Sequence, residues 1–166
     1  MGFTTSTGAV YSPDARHLVL YSSVVQDEPF RVASVSRLGA LCPVSEHPAE
    51  RAASVSFSAD GRQLAVFTHD AELWLYALKT QGSDCGVRLI RKVAHPAFRS
   101  KAVPDSAASS PSSGQAAAAR SAIRTNGSVY FVGTDRLLFW DGGQEFVALS
   151  APDGRVARSG SFPSLV

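Results

Sequence analysis

Cysteine is nearly missing from this sequence: 166 residues hold two, Cys42 and Cys85. Two thiols cannot make the framework of a disulfide-stapled domain, and their spacing matches no zinc pattern. Both are therefore read as free thiols in a reducing compartment. No run of about 18 apolar residues occurs, so no helical membrane span is expected. Met1 to Gly8 lacks a basic region followed by an apolar core, so no secretory signal is expected there, and cytosol or nucleus is the expected location. No window carries a 3.6-residue apolar period, which removes the helical fold classes. A Gly-x-Ser-x-Gly elbow, a phosphate loop and a His-Glu-x-x-His pair are all missing. No catalytic residue, cofactor or metal is expected, and the chain reads as a non-enzyme.

What is present is ordinary in bulk and unusual in order. Hydrophobic residues make up 45% and charged residues 18%, close to a globular average, so a real core is available. The net charge is +2, with thirteen Arg against three Lys. Arg binds in a planar fork and stacks, which suits contact surfaces.

The order shows as repetition. Tyr11-Ser12-Pro13-Asp14-Ala15-Arg16 precedes the apolar run His17 to Tyr21, and Phe57-Ser58-Ala59-Asp60-Gly61-Arg62 precedes Gln63 to Phe67, 46 residues later. Each is an aromatic strand end, a polar turn with Asp, and a second strand. Loops repeat as well: His47-Pro48-Ala49-Glu50-Arg51 and His95-Pro96-Ala97-Phe98-Arg99 lie 48 residues apart. A third copy is read as Ile123 to Gly127 followed by Ser128 to Val132, 66 residues after the second. A rival register starts the third copy at Val129 and runs its strands on through Arg155 to Ser159.

A period in the mid-forties is the size of one four-stranded propeller blade. The excess before the third copy is Ser100 to Ser121, mostly Ser, Ala and Pro, which cannot bury enough apolar surface to offset its ordering entropy. The expected organisation is blade 1 over 1–50, blade 2 over 51–99, a disordered insertion over 100–121, and blade 3 with a tail over 122–166. Val55 to Ser58, Gln63 to Thr68 and Glu72 to Leu78 are rich in β-branched and aromatic residues and read as strands. Asp60-Gly61, Asn126-Gly127 and Gly142-Gly143 read as hairpin turns. The class is all-β.

These residues resemble the WD40 repeat family, whose pattern sets a His before a blade, an Asp after its second strand and Trp-Asp closing its third. His47, Asp70 and Tyr76-Ala77 match this in blade 2, and His95, Asp135 and Trp140-Asp141 match it in blade 3. In the rival register Trp140-Asp141 is coincidental. The resemblance implies that His47, Asp70, Tyr76, His95, Asp135 and Trp140 are structural, locking turns through hydrogen bonds, and are not metal ligands. The fold it implies is an incomplete β-propeller of about three four-stranded antiparallel blades in an open arc. A propeller closes with 4–8 blades, so the chain is expected to be a piece of a longer ring or to complete one by pairing.

Gly142-Gly143-Gln144 matches the catalytic tripeptide of translation release factors, but here it lies in a hairpin turn without that context. Arg88, Arg91, Lys92, Arg99 and Lys101 form a basic stretch that could meet nucleic acid or anionic lipid. Val87, Leu89 and Val93 alternate with its charges, which reads as a protected outer strand. No aromatic stacking run accompanies it, which argues against nucleic acid. The expected function is a protein-interaction scaffold that binds partner proteins through inter-blade loops, with Arg51, His69 and Arg99 as contact residues. The alternative is an accessory or catalytic propeller domain of a hydrolase. Uncovered terminal blades would also favour self-association.

Overall fold

A computed structural model describes residues 7–22, 30–37, 40–49, 51–81, 84–94, 127–140, 145–151 and 155–161. The segment 100–121, expected to be a disordered insertion, lies outside them. The described residues hold no helix and form three sheets, each of four antiparallel strands. The first contains β1 (Thr7–Tyr11), β2 (His17–Ser22), β3 (Arg31–Ser34) and β4 (Ala40–Cys42). The second contains β5 (Ala52–Phe57), β6 (Gln63–Thr68), β7 (Glu72–Gln81) and β8 (Asp84–Ala94). The third contains β9 (Ser128–Val132), β10 (Arg136–Trp140), β11 (Glu145–Ser150) and β12 (Val156–Ser161). Each strand pairs with the next in sequence, so every sheet is a meander, the blade of a propeller. Among the described residues the three sheets do not close into a ring.

Side chains alternate across a strand, so each blade has two faces. We call the face toward the preceding blade leading and the other trailing. The trailing face of blade 1, with Val19, Phe30 and Val32, packs on Val55, Phe57, Leu64, Val66, Trp74 and Tyr76 of blade 2. The trailing face of blade 2, with Ala65, Phe67, Leu73 and Leu75, packs on Val129, Leu137, Phe139, Val147 and Leu149 of blade 3. Both faces of blade 2 are thus covered, and Leu64 to Thr68 is buried without interruption. A fully buried Leu, Val or Phe contributes roughly 1.5–3 kcal/mol over leaving it exposed, so blade 2 anchors the arc.

The hairpin turns repeat atom by atom in the first two blades. Ser12 Oγ donates to Asp14 Oδ1 at 2.6 Å, and Ser58 Oγ donates to Asp60 Oδ1 at 2.6 Å. The same carboxylates accept the Arg16 and Arg62 amides at 3.1 Å. The serine oxygens in turn accept the His17 and Gln63 amides at 2.9 Å. The third corner is left-handed, at φ 55° for Ala15 and 68° for Gly61. Gly61 has a second constraint, since a Cβ there would lie 3.1 Å from the Asp14 carboxylate of blade 1.

Blade 3 follows the rival register. Ser128 to Val132 is its first strand, and the hairpin that follows is Gly133-Thr134-Asp135, two residues shorter than its counterparts and without the Ser-Asp pair. Asp135 therefore lies in the first hairpin of the blade, and Trp140 ends its second strand. The match of these two residues to the repeat pattern is one of residue type, not of position. Asn126 and Gly142-Gly143 lie outside the described residues.

The free-thiol reading of the cysteines is corrected. Cys42 and Cys85 form a disulfide with a Cα–Cα distance of 5.1 Å, joining β4 of blade 1 to β8 of blade 2. Sequence spacing could not show this, because the outer strands of two blades are brought side by side only by the fold. A reducing compartment thereby loses its support from the cysteines.

Candidate functional site

The segment after β4 does not lead straight into blade 2. Pro43 to Glu46 lies along the outer strand β8, with Val44 in a parallel bridge to Val87. The Val87 amide donates to the Pro43 carbonyl at 2.9 Å, and the Ser45 amide donates back to the Val87 carbonyl at 2.8 Å. Ser45 Oγ accepts the Leu89 amide at 2.9 Å. The Tyr76 hydroxyl donates to the Glu46 carbonyl at 3.0 Å, fixing the end of this strap. Burial first, and the Glu46 charge second, push the Tyr76 pKa well up, so the phenol remains a donor. Glu46 also pairs with Lys92, whose ammonium stands 4.0 Å over the Trp74 ring. The basic β8 is thus an outer strand, as its alternation implies.

Beside the strap a cavity of about 340 Å³ is lined by Phe30, Arg31, Val32, Leu41, Cys42, Pro43, Val44 and His47. Its volume lies at the lower end of small-ligand and side-chain pockets. His47 meets Phe30 edge to face at 5.1 Å, and Phe30 meets Tyr76 in the same way at 5.4 Å. Burial lowers the His47 pKa below its ordinary value, so the ring is neutral near pH 7. Most of the lining is apolar and its one fixed charge is Arg31. Such a pocket can take an apolar side chain whose neighbour is acidic.

Arg51 and His69 share this rim. The His69 amide donates to the Arg51 carbonyl at 3.2 Å, tying the loop before β5 to the turn after β6. Arg51 and His69 are each half-buried. Arg99 and His95 lie outside the described residues. His47 sits in the strap loop and Asp70 in the turn after β6. Asp70 accepts the Thr68 hydroxyl within its own turn, where Thr68 Oγ1 also accepts the Glu72 amide at 3.1 Å. This is the Ser12 and Ser58 device again, with Ala71 at φ 66°. The sequence does carry its signal, since Ser/Thr-x-Asp occurs at Ser12, Ser58 and Thr68. In the two first hairpins this chemistry fixes charge. Burial opposes ionisation of Asp14, but the Ser12 hydroxyl and the Arg16 amide outweigh it; Asp60 is held low chiefly by Ser58.

These serines are committed to carboxylates and amides, an arrangement that builds turns. Among the described residues no three His, Cys, Asp or Glu side chains come together as a metal site. No described helix is long and apolar enough to cross a membrane.

No protein-family model matches the chain, and no curated protein sequence matches it. Solved structures do. The WD40 repeats of RRP9 align at TM-score 0.58 with 11% identity, covering 99% of this chain and 41% of that one. The β-propeller domain of Cps50 (Swd1) from Myceliophteria thermophila aligns at 0.58 with 14% identity, covering 95% and 43%. U3-55K aligns at 0.59 with 11% identity, covering 99% and 42%. The chain therefore has the fold of WD40 propeller blades and spans about two fifths of the length of the structures it matches.

Proposed function

We propose that this chain is a protein-interaction propeller segment that binds partner proteins over the rim carrying the strap, Arg31, His47, Arg51 and His69. The observation that carries this reading is the strap-side pocket, whose lining is apolar apart from Arg31 and His47, beside two loops tied together through Arg51 and His69. Arg99, in the repeat of the same loop pattern, is assigned to the same face. The partner presents an apolar side chain flanked by acidic groups. His47, Asp70, Tyr76, His95, Asp135 and Trp140 are given structural roles, and 100–121 a linking role between blades 2 and 3. No cofactor is assigned. The hydrolase reading required carboxylates converging in a deep central pocket, and no observation favours it.

The test compares the wild-type chain with an Arg51→Glu, Arg99→Glu double variant in affinity capture. We expect the variant to lose partners that the wild type retains while its melting curve is unchanged. Equal capture by both proteins would remove this face from the interaction. A cytosolic or nuclear location is retained as a proposal, and it faces a direct check, because disulfides persist in oxidising compartments. Alkylation trapping of Cys42 and Cys85 in cells should find thiols if the location is right.

A further inference from the structure

The Cys42–Cys85 bond is the first rung of a short parallel ladder. Val44 bridges Val87, two residues further along both strands, so the bond and the strap share one register. Beyond the bond the strap is held by backbone bonds to Val87 and by the Leu89 amide on Ser45 Oγ. Its far end is held by the Tyr76 hydroxyl on the Glu46 carbonyl and by the Glu46–Lys92 pair. Most of these contacts meet water. Pro43, Ser45 and Glu46 are exposed and Val44 is half-buried, whereas Cys42, at 4% exposure, belongs to the core between blades 1 and 2. Segments with few buried apolar contacts and solvent-exposed hydrogen bonds open locally while the rest of a fold stays intact. The strap is such a segment, and its covalent tie is what distinguishes it from a loose loop.

We propose that Cys42 and Cys85 form a reversible redox latch on the strap, and through the strap on the cavity beside it. Of the eight residues lining that cavity, four belong to the strap and its two ends: Cys42, Pro43, Val44 and His47. The oxidised pair holds this wall against β8. Reduction frees it, while the apolar packing of β2, β6 and β7 remains in place. The reductant is a dithiol. Its thiolate attacks Cys85 Sγ, because Cys85 is only partly buried and Cys42 is almost enclosed. The attack forms a mixed disulfide and expels Cys42 as a thiolate, which takes up a proton. The second thiolate of the reductant then attacks the reductant's own sulfur in the mixed disulfide and releases Cys85, which is protonated in turn. The reductant leaves as its internal disulfide, having passed two electrons to the protein. The latch is a property of the strap itself and holds whether or not partners use the cavity.

The test follows amide hydrogen exchange in the full chain, well below its melting temperature, in buffers poised with reduced and oxidised dithiothreitol. The oxidised protein should protect the Ser45, Val87 and Leu89 amides. Reduction should speed their exchange roughly tenfold or more, as expected for a segment that opens locally. Amides of the buried strand β6 should stay protected, and the circular dichroism spectrum should be kept. Strap exchange and alkylation of the two thiols should share one midpoint, and reoxidation should restore protection. A strap equally protected in both states would overturn the latch. So would loss of the folded spectrum on reduction, or protection that oxidation does not restore. The Cys42→Ser, Cys85→Ser double variant separates the bond from any other effect of the dithiol, since its strap should exchange fast in every buffer. A variant strap as well protected as that of the oxidised wild type would also overturn the proposal. Partner capture plays no part in these readouts, so a failed rim assignment and a failed latch are told apart.

Discussion

The two blade interfaces are built from the same positions yet held in different ways. Between blades 1 and 2 an apolar core is supplemented at the outer rim by the Cys42–Cys85 bond, the Pro43–Glu46 strap and the Tyr76 hydroxyl. Between blades 2 and 3 the supplement lies at the inner strands. Ser54 Oγ accepts the Val129 amide at 3.2 Å and Ser56 Oγ accepts the Phe131 amide at 2.9 Å, so side chains of β5 satisfy backbone donors of β9. At the hairpin rim the Ala59 amide donates to the Gly133 carbonyl at 2.9 Å. The first interface resists opening even where its core is weakened, because it is covalent. The second depends on its core and on hydrogen bonds each worth only about 0.5–1.5 kcal/mol net. Blade 3 is the blade expected to leave first.

The largest effect should come from the core of the second interface. Phe67 is fully buried and lies 4.8 Å, ring centre to ring centre, from Phe139. Truncating Phe67→Ala should cost about 3–5 kcal/mol, a large share of a domain's usual 5–15 kcal/mol. Hydrogen exchange should then show β9 to β12 losing protection while β2, β3 and β6 keep theirs. Uniform loss across all three blades would mean that the two interfaces open as one unit.

The covalent supplement should rank next. The Cys42–Cys85 bond closes a loop of 43 residues, for which the chain-entropy model gives about 4 kcal/mol as an upper value and 2–4 is typical. A Cys42→Ser, Cys85→Ser double variant should melt roughly 5–15 °C lower. Reductant should lower the wild-type melting temperature by the same amount and leave the variant unmoved. A wild type indifferent to reductant would show that the outer clasp contributes nothing to the contrast.

Much of this contrast lies beyond reach of the sequence, for physical reasons that differ by site. Ser12-Pro13-Asp14 and Ser58-Ala59-Asp60 are legible because their hydrogen bonds close within six residues. The loops holding Arg51 and His69 are legible as neighbours because a blade repeats its own connectivity. The third blade was ambiguous because Asn126-Gly127 has the composition of a hairpin, whereas the real first hairpin, Gly133-Thr134-Asp135, lacks the Ser-Asp signature. Ser128 opens the first strand of that blade, and Trp140 ends its second strand, five residues in, where Phe67 stands in that of blade 2. The disulfide and the strap could not be read at all. Pro43 signals the end of a strand, and nothing local to Pro43–Glu46 says that it lies along Val87. Cys42 meets Cys85 only because two outer strands come into register after both blades have formed.

The smallest expected effect separates the interfaces by pH. His17 opens β2 on the face toward blade 2, is 1% exposed, and leaves Nδ1 buried without a hydrogen-bond partner. Burial lowers its pKa, an effect that the nearby Asp14 charge reduces and the Arg16 charge reinforces. The fold therefore holds the neutral ring, whereas the unfolded chain takes up a proton near the ordinary value of about 6.5. Below that pH the unfolded state binds more protons than the folded one, and stability falls as pH falls. Above it the contribution is constant. The conservative control is supplied by the protein itself, since Gln63 opens β6 in the position His17 takes in β2. Replacing His17→Gln should flatten the urea-midpoint profile between pH 7 and 5 while leaving the carboxylate-driven fall at lower pH. The flattening should be confined to probes in blades 1 and 2, such as Trp74 fluorescence, with blade 3 opening at the same midpoint as before. A His17→Gln protein whose Trp74 profile still falls between pH 7 and 5 would locate the titrating group elsewhere and leave the first interface without its pH sensitivity.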